Sequence, residues 1–447
     1  MRRVVVTGVG VVSPIGIGAD AFWSSLTAGK VGVRSISLFD ASGFPCQIAG
    51  EVPPYKIGEF VPKSYRKGTK VMARDIELAV IAADDAFKSA GLQSQAYTEK
   101  PTFDATRFGC NIGAGLISCE LDELTSAMTT ARGESGSNTL SLEKWGREGM
   151  QQLTPLWLLK YLPNMLACHV TIIHGLMGPS NTITCDAASS HLAIGEAFRT
   201  IQRGKADVAI CGGAESRVNP MGLVRQQLLN RLNASDNGRP EQALRPFDPA
   251  ARGTVFGEGG GLLILEEYEA AKSRGARIYA ELVGFAASQD THRVTEPEPT
   301  GHSYAKAIEN SLKDAKLTGD DIDLIIPHGT GIAKDDRAEL NGLRRALGAN
   351  LSQIALSTVK PQTGLLGAGC GVDACAAVLA VAHSTLPPAI NSPGVCEGTT
   401  LNVSATAREK PVRAVVSSVY SLGGQNASLV FSSLKSASTG LQTAAGE

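Results

Sequence analysis

The chain carries almost no net charge and no long apolar run. Its 447 residues include 42 Lys and Arg against 43 Asp and Glu, which gives a formal net charge of -1. Proteins that bind nucleic acid without sequence preference usually carry a clear basic excess. No segment reaches the roughly 18 consecutive apolar residues of a membrane-spanning helix. We therefore expect no nucleic-acid partner and no membrane span.

Cysteine occurs without a disulfide or zinc pattern. The nine cysteines are an odd number, scattered through apolar or glycine-rich segments. Cys370 and Cys375 lie five residues apart, and no His or Cys follows them at zinc-ligand spacing. The apolar start of the chain, over residues 4–12, contains glycines and predicts a buried strand rather than a signal peptide. We expect a reduced, cytoplasmic protein that has no metal and no cofactor.

Short β-branched runs alternate with amphipathic segments, which predicts an α/β fold. Residues 4–14 resemble residues 279–289, which suggests two related halves that meet near residue 270. We therefore divide the chain into residues 1–270, residues 271–435 and a disordered tail over 436–447. The predicted strands cover 3–12, 207–210, 261–266, 324–326, 414–419 and 427–431, and the predicted helices cover 74–89, 191–203, 303–314, 337–347 and 373–383.

The most informative segment covers residues 178–195. It begins with Gly-Pro-Ser and indicates a strand, a tight turn and then a helix. The turn lies at a helix N-terminus, where the helix dipole and free N–H groups favour an anion. The same field lowers the pKa of a thiol, so an enzyme would place a cysteine nucleophile there.

This segment and eight others strongly resemble the β-ketoacyl synthases, the condensing enzymes of fatty-acid and polyketide synthesis. The resemblance covers residues 3–433, and its motifs follow in register. It implies a thiolase-like, five-layered αβαβα core made of two fused βαβαβαββ halves, normally dimeric. Besides residues 178–195, the motifs are Val5-Val-Thr-Gly-Val-Gly10, Leu162-Pro-Asn-Met165, Asp207-Val-Ala-Ile-Cys-Gly-Gly-Ala-Glu215, Arg245-Pro-Phe-Asp248, Phe256-Gly-Glu-Gly259, His328-Gly-Thr-Gly331, Lys360-Pro-Gln-Thr-Gly364 and Leu422-Gly-Gly-Gln-Asn426.

The resemblance also implies a vacant nucleophile position. The family has cysteine in the turn, and the spacing from either end of the segment puts Ala187 at that position. His328 matches the family histidine that donates to a thioester carbonyl or assists loss of carbon dioxide. Lys360 matches the buried lysine that supports this histidine, and Asp373 replaces a family glutamate.

Two further positions differ from the family pattern. The family has a second histidine after Thr-Gly, whereas here Gly364 is followed by Leu365. Leucine cannot donate a hydrogen bond, and loss of one such donor typically lowers the rate about 100- to 1000-fold. The family phenylalanine that gates the pocket is replaced by Leu422, which is compatible with a reshaped acyl tunnel.

Cys185 is the alternative nucleophile. It precedes Ala187 by two residues and would lie before the turn, where the helix field is weaker. The neighbouring Asp186 would raise the pKa of its thiol. An active condensing enzyme or acyltransferase would use Cys185 with His328 and Lys360.

A basic cluster suggests a protein partner. In this family, the corresponding region often meets the acidic helix of an acyl carrier protein, and a solvated charged face is the alternative. Our leading hypothesis is a non-condensing subunit similar to the chain-length factors of polyketide synthases. Such a subunit pairs with a competent ketosynthase and shapes the acyl tunnel. A non-catalytic homodimer that binds an acyl chain is a further alternative. The cluster comprises Lys63, Arg66, Lys67 and Lys70.

Overall fold

The computed structural model describes residues 1–133 and 139–434. The predicted tail over 436–447 lies outside the described residues. The strands are β1 (Val4–Ser13), β2 (Gly16–Ile17), β3 (Val33–Ser35), β4 (Ile48–Gly50), β5 (Phe108–Ala114), β6 (Ser180–Ile183), β7 (Val208–Ser216), β8 (Glu258–Glu267), β9 (Ala280–Gln289), β10 (Leu324–Ile326), β11 (Ala355–Leu356), β12 (Thr385–Leu386), β13 (Val395–Cys396), β14 (Thr399–Thr400), β15 (Arg408–Glu409), β16 (Ala414–Tyr420) and β17 (Gln425–Ser432).

The α-helices alternate with these strands. They are α1 (Ala19–Thr27), α2 (Arg74–Ala90), α3 (Leu121–Thr130), α4 (Leu142–Arg147), α5 (Met165–His174), α6 (Ser189–Gln202), α7 (Pro220–Leu228), α8 (Tyr268–Ser273), α9 (His302–Ala315), α10 (Ala333–Leu347), α11 (Lys360–Thr363) and α12 (Gly371–His383). Within the described chain, no helix combines the length and the apolar character that a membrane crossing requires.

Two halves repeat the same βαβαβαββ order. The first half runs β1-α2-β5-α5-β6-α6-β7-β8, and the second runs β9-α9-β10-α10-β11-α12-β16-β17. The strands lie in the order β6-β5-β7-β8-β1 in the first half and β11-β10-β16-β17-β9 in the second, so equivalent strands hold equivalent places. The halves join where β1 pairs antiparallel with β9, with Val4 opposite Leu282.

Five layers result from the way the helices pack. Helices α2 and α5 cover the outer face of the first half, and α9 with α10 covers the second. Helices α6 and α12 contact strands of both halves and each other, so they form the middle layer. A helix in that position needs apolar residues on every face. In α12, every residue from Gly371 to Val381 is accordingly buried.

One predicted strand is longer than the sequence indicated. The strand predicted to end at residue 210 continues to Ser216, through Gly212 and Gly213. Glycine usually weakens a strand, but here close packing requires it. A Cβ at Gly213 would lie 2.3 Å from the carbonyl oxygen of Ala368. The strand therefore passes directly beneath the segment that begins the middle layer.

Candidate functional site

The turn predicted to hold a nucleophile is intact and holds an alanine. Ala187 is 2% exposed and lies in the single 3-10 turn Asp186–Ala188, between β6 and α6. The Cys185 N–H donates to Ser189 Oγ at 2.7 Å, and this hydroxyl donates to the Asp186 carbonyl oxygen at 2.7 Å. Asp186 has a φ of +49°, which makes the turn sharp. The strand, turn and helix predicted for this segment are therefore present, and no thiol lies at position 187.

Lys360 and Asp373 form an ion pair below the turn. Lys360 begins α11, directly after β11, and Asp373 lies in the first turn of α12. Both side chains are buried, as expected for Lys360, and its Nζ contacts Asp373 Oδ2. Burial lowers the pKa of Lys360, but the charge of Asp373 outweighs this effect and leaves the pKa above its ordinary value. The Asp373 carboxylate therefore favours the charged form of Lys360.

His328 is a buried, neutral imidazole. It follows β10, and the backbone N–H groups of His328 and Gly329 donate to the Glu339 carboxylate at 2.7 and 2.8 Å. Its ring packs edge-on against Tyr420, with ring centroids 4.7 Å apart. Burial, and then the charge of Lys360, hold its pKa well below the ordinary value. A neutral imidazole can donate one hydrogen bond, which is the role that the family resemblance implies.

Three groups that could bind a metal meet beside this pair. One ligand atom each from His328, Cys370 and Asp373 lies within 4.8 Å of the others. The Lys360 ammonium already pairs with the Asp373 carboxylate, so a metal ion would face a fixed positive charge. Burial raises the pKa of Cys370 to about 12, which keeps it a thiol. The arrangement suits a buried polar cluster better than a metal centre.

The space beside Ala187 is very small. Ala187, His328, Leu365 and Leu422 are among the residues that line a cavity of about 10 Å³. This is room for about one water molecule. The Leu365 N–H donates to the Val255 carbonyl oxygen at 2.8 Å, so its backbone is fixed. Leu365 and Leu422 thus face the site, and neither side chain supplies a hydrogen-bond donor.

Cys185 lies next to the turn in an unfavourable setting. The residue is partly buried and packs beside the apolar cluster that contains Ala187 and Cys370. Burial, and then the negative charge of Asp186, raise the pKa of its thiol. A raised pKa leaves little thiolate at neutral pH, and thiolate is the nucleophilic form.

A buried group of three charges was not predicted from the sequence. Arg217 follows β7, with a side chain 12% exposed, and pairs with both Asp186 and Glu215. Asp186 and Arg217 also line a second, larger cavity of about 380 Å³. The motif that ends at Glu215 marks this strand in the sequence. Nothing in that motif identifies Asp186 as a partner of Arg217.

His191 was also missed. It lies in the first turn of α6, one helical turn beyond Ala187, and is fully buried. Its Nε2 lies 2.8 Å from Ser417 Oγ, and burial, followed by the charge of Lys360, lowers its pKa to about 3. Its spacing of four residues from Ala187, about one helical turn, is the sequence signal that could have placed it near the turn.

The predicted basic cluster is a surface feature. All four of its side chains are exposed, on short 3-10 turns before α2. Tyr65, within the cluster, is anchored by a hydrogen bond of 3.0 Å to His169. Over residues 1–133 and 139–434, no carboxylate lies within ion-pair distance of these cations. The cluster comprises Lys63, Arg66, Lys67 and Lys70.

Comparison with known families identifies this architecture. Residues 1–271 match the family described as "Beta-ketoacyl synthase, N-terminal domain", and residues 279–392 match the corresponding C-terminal domain. The chain belongs to the β-ketoacyl synthase family. The predicted family and the predicted thiolase-like fold are both confirmed.

Relatives of this ketosynthase chain match over nearly its full length. The "3-oxoacyl-[acyl-carrier-protein] synthase 2" of Vibrio harveyi is 36% identical over 433 residues, which are 96% of this chain and 98% of that protein. The "Putative polyketide beta-ketoacyl synthase 1" of Streptomyces halstedii is 34% identical and covers 96% and 97%. Both branches of the family, fatty-acid and polyketide synthesis, are therefore represented.

Solved structures show the same fold. "The ishigamide ketosynthase/chain length factor" has a TM-score of 0.83 at 28% identity and covers 97% of this chain and 100% of the other. The complex "AntDE:AntF (apo): type II PKS acyl-carrier protein in complex with its ketosynthase bound to the hexaketide" has a TM-score of 0.82 at 27% identity, with the same coverage.

Proposed function

We propose that this chain is a non-condensing ketosynthase subunit of fatty-acid or polyketide synthesis. It pairs with an active β-ketoacyl-acyl-carrier-protein synthase and shapes the acyl tunnel, as a chain-length factor does. The observation that carries this proposal is Ala187, which occupies an intact nucleophile turn. Without a thiol at this position, no acyl-enzyme can form there.

The surroundings of Ala187 support the same reading. The cavity at the turn, about 10 Å³, is too small for an acyl chain. His328 and Lys360 are buried, and Leu365 directly follows Gly364, where the family pattern has its second histidine. The Glu339 carboxylate accepts from the backbone N–H of His328, and Asp373 pairs with Lys360, so both residues have structural partners.

Pairing with a second subunit is supported by the edge of the sheet. Strand β6 ends the order of the first half, and Ser180 and Asn181 are exposed. Ile172, on the adjacent helix α5, is 51% exposed, and Met177, just before β6, is 72% exposed. An open strand edge flanked by exposed apolar side chains is suited to pairing with another chain.

An acyl carrier protein is the proposed transient partner. The exposed cations Lys63, Arg66, Lys67 and Lys70 form a positive patch that suits an acidic helix. One of the solved structures of similar fold is described as a ketosynthase in complex with its acyl carrier protein. Such a contact would be steered by charge and weakened by salt.

The alternative function is an active synthase that uses Cys185. The names of the relatives, which are synthases, favour it. The raised pKa of the Cys185 thiol speaks against it. A homodimer that binds an acyl chain without turning it over would use the same open edge at β6.

Mapping acyl groups tests the proposal directly. The purified chain is incubated with a radiolabelled acyl-carrier-protein thioester, and labelled peptides are located by mass spectrometry. We expect no acyl-cysteine at Cys185 or Cys370. Stoichiometric acylation at Cys185 that disappears in Cys185→Ala, but persists in Cys370→Ala, would overturn the proposal in favour of the active synthase.

A further inference from the structure

The Asp186 carboxylate already occupies a backbone N–H group at this turn. The Leu422 N–H donates to Asp186 Oδ2 at 3.3 Å. The Ala187 N–H faces the same carboxylate and, like the Leu422 N–H, lowers its pKa. One donor comes from the turn before α6 and the other from the loop between β16 and β17. Enzymes of acyl transfer use such a converging pair to hold a carbonyl oxygen as it gains negative charge.

Arg217 fixes the Asp186 carboxylate in this position. Its Nη2 contacts Asp186 Oδ1, and its Nε lies 2.9 Å from Glu215 Oε1. Glu215 is held in turn by the Ala368 N–H, at 2.6 Å from Oε2. Burial raises the pKa of Asp186, but Arg217 and the two backbone donors outweigh this effect and lower it. The carboxylate is therefore ionised at neutral pH.

The same ion pair lines two cavities. Asp186, Arg217 and Gln226 line the small cavity that contains Ala187 and His328. They also line the larger cavity of about 380 Å³. An acyl chain in the larger cavity would therefore meet the charged pair before it reached Ala187, and an apolar chain gains nothing by displacing a buried ion pair.

We propose that the Asp186 carboxylate, held by Arg217, is a built-in occupant of the oxygen-binding position in this chain. This proposal goes beyond the missing cysteine. If Asp186 occupies the oxygen-binding position, the turn stays inactive even when a thiol is restored at position 187. The inference concerns this site only and does not depend on the partner subunit.

The chemistry explains why both charge and occupancy matter. In acylation, a thiolate attacks the carbonyl carbon of a thioester and the carbonyl oxygen becomes negative. The carbon–sulfur bond of the donor then breaks, and the donor's thiolate leaves and takes up the proton lost by the attacking thiol. Asp186 opposes thiolate formation by its charge and competes with the carbonyl oxygen for the Leu422 N–H, a kind of donor whose removal typically lowers the rate about 100- to 1000-fold.

Three variants in a Cys185→Ala background separate these effects. The first is Ala187→Cys alone. The second adds Asp186→Gly, which suits the positive φ and leaves Arg217 paired with Glu215, so the remaining charges balance. The third adds Asp186→Asn, which tolerates the same backbone conformation, removes the charge and keeps a side-chain oxygen near the two donors.

Two measurements are made on each variant. The pH dependence of iodoacetamide alkylation, followed by mass spectrometry, gives the pKa of the introduced thiol. Acyl transfer from radiolabelled acetyl-N-acetylcysteamine gives the rate of acylation. We expect the thiol pKa to fall by about one to two units with either Asp186 substitution. We expect acylation to rise at least about 100-fold with Asp186→Gly but less than about tenfold with Asp186→Asn.

Equal acylation of Ala187→Cys with and without Asp186→Gly, whether fast or slow, would overturn the inference. So would an equal gain from Asp186→Gly and Asp186→Asn, because charge alone would then be the cause. If the Asp186→Gly variant fails to fold, two results still refute the inference. One is rapid acylation of the Ala187→Cys variant by itself. The other is a gain of about 100-fold in acylation with Asp186→Asn. The proposed function is tested on the natural Ala187 chain, so either idea can fail alone.

Discussion

Replacing Lys360 by methionine should destabilise the protein strongly, because Asp373 would remain buried without its partner. Lys360 and Asp373 are 2% and 3% exposed at their side chains, and their ion pair lies at the base of the site. Breaking a buried pair from one side typically costs about 3–5 kcal/mol. The double variant Lys360→Met/Asp373→Asn removes the stranded charge, so we expect it to recover more than about 1 kcal/mol of that loss.

The assay is urea unfolding followed by circular dichroism, at one fixed protein concentration because the chain is expected to associate. Lys334→Met is the matched control. Lys334 pairs with Glu296 at 2.7 Å, but its side chain is 59% exposed, so the loss should stay below about 1 kcal/mol. The account of this ion pair is refuted if Lys360→Met lowers the free energy of unfolding no more than the control does. It is also refuted if adding Asp373→Asn to Lys360→Met lowers the free energy of unfolding further.

Three further predictions concern pH, the carrier protein and subunit pairing. Burial raises the pKa of Glu339 from 4.5 to about 7, so folding loses stability as pH rises through that window. Between pH 5 and 8 the free energy of unfolding, measured by urea titration, should therefore fall more for the natural chain than for Glu339→Gln, by up to about 3 kcal/mol; an equal fall would refute this. The charge reversal Lys63→Glu/Lys67→Glu should weaken the binding of acyl carrier protein at least about tenfold at low salt, measured by titration calorimetry. The control Lys306→Glu, on helix α9, should leave the affinity unchanged, and equal effects would contradict the docking site. Ile172→Lys/Met177→Lys should shift the sedimentation coefficient toward the single subunit, and an unchanged coefficient would exclude the β6 edge as the interface.

The sequence predicted the fold well because its motifs mark loops that both halves repeat. The turn around Ala187 and the loops of His328 and Lys360 lie at strand ends, so their spacing along the chain identifies them. The pairing of Asp186 with Arg217 could not be predicted in this way. It depends on how the turn after β6 packs against the end of β7, and neither motif contains both partners.

The lengths of the elements were predicted less well, for a physical reason. The strand predicted over residues 207–210 continues as β7 through the following glycines to Ser216. Those glycines serve close packing rather than a turn, since a Cβ would meet Ala368 at Gly213 and Gly261 of β8 at Gly212. The sequence shows that Leu365 supplies no side-chain donor. It does not show how little space lies beside Ala187, because that depends on how the two halves pack together.

The most direct test measures β-ketoacyl-acyl-carrier-protein formation from radiolabelled acyl- and malonyl-carrier protein. The purified chain is assayed alone, and then co-purified with a ketosynthase that has an intact active-site cysteine. We expect no condensation product from the chain alone, and product from the pair that is lost when only the partner's cysteine is changed to alanine. Condensation by the chain alone, abolished by Cys185→Ala, would contradict the proposed non-condensing function.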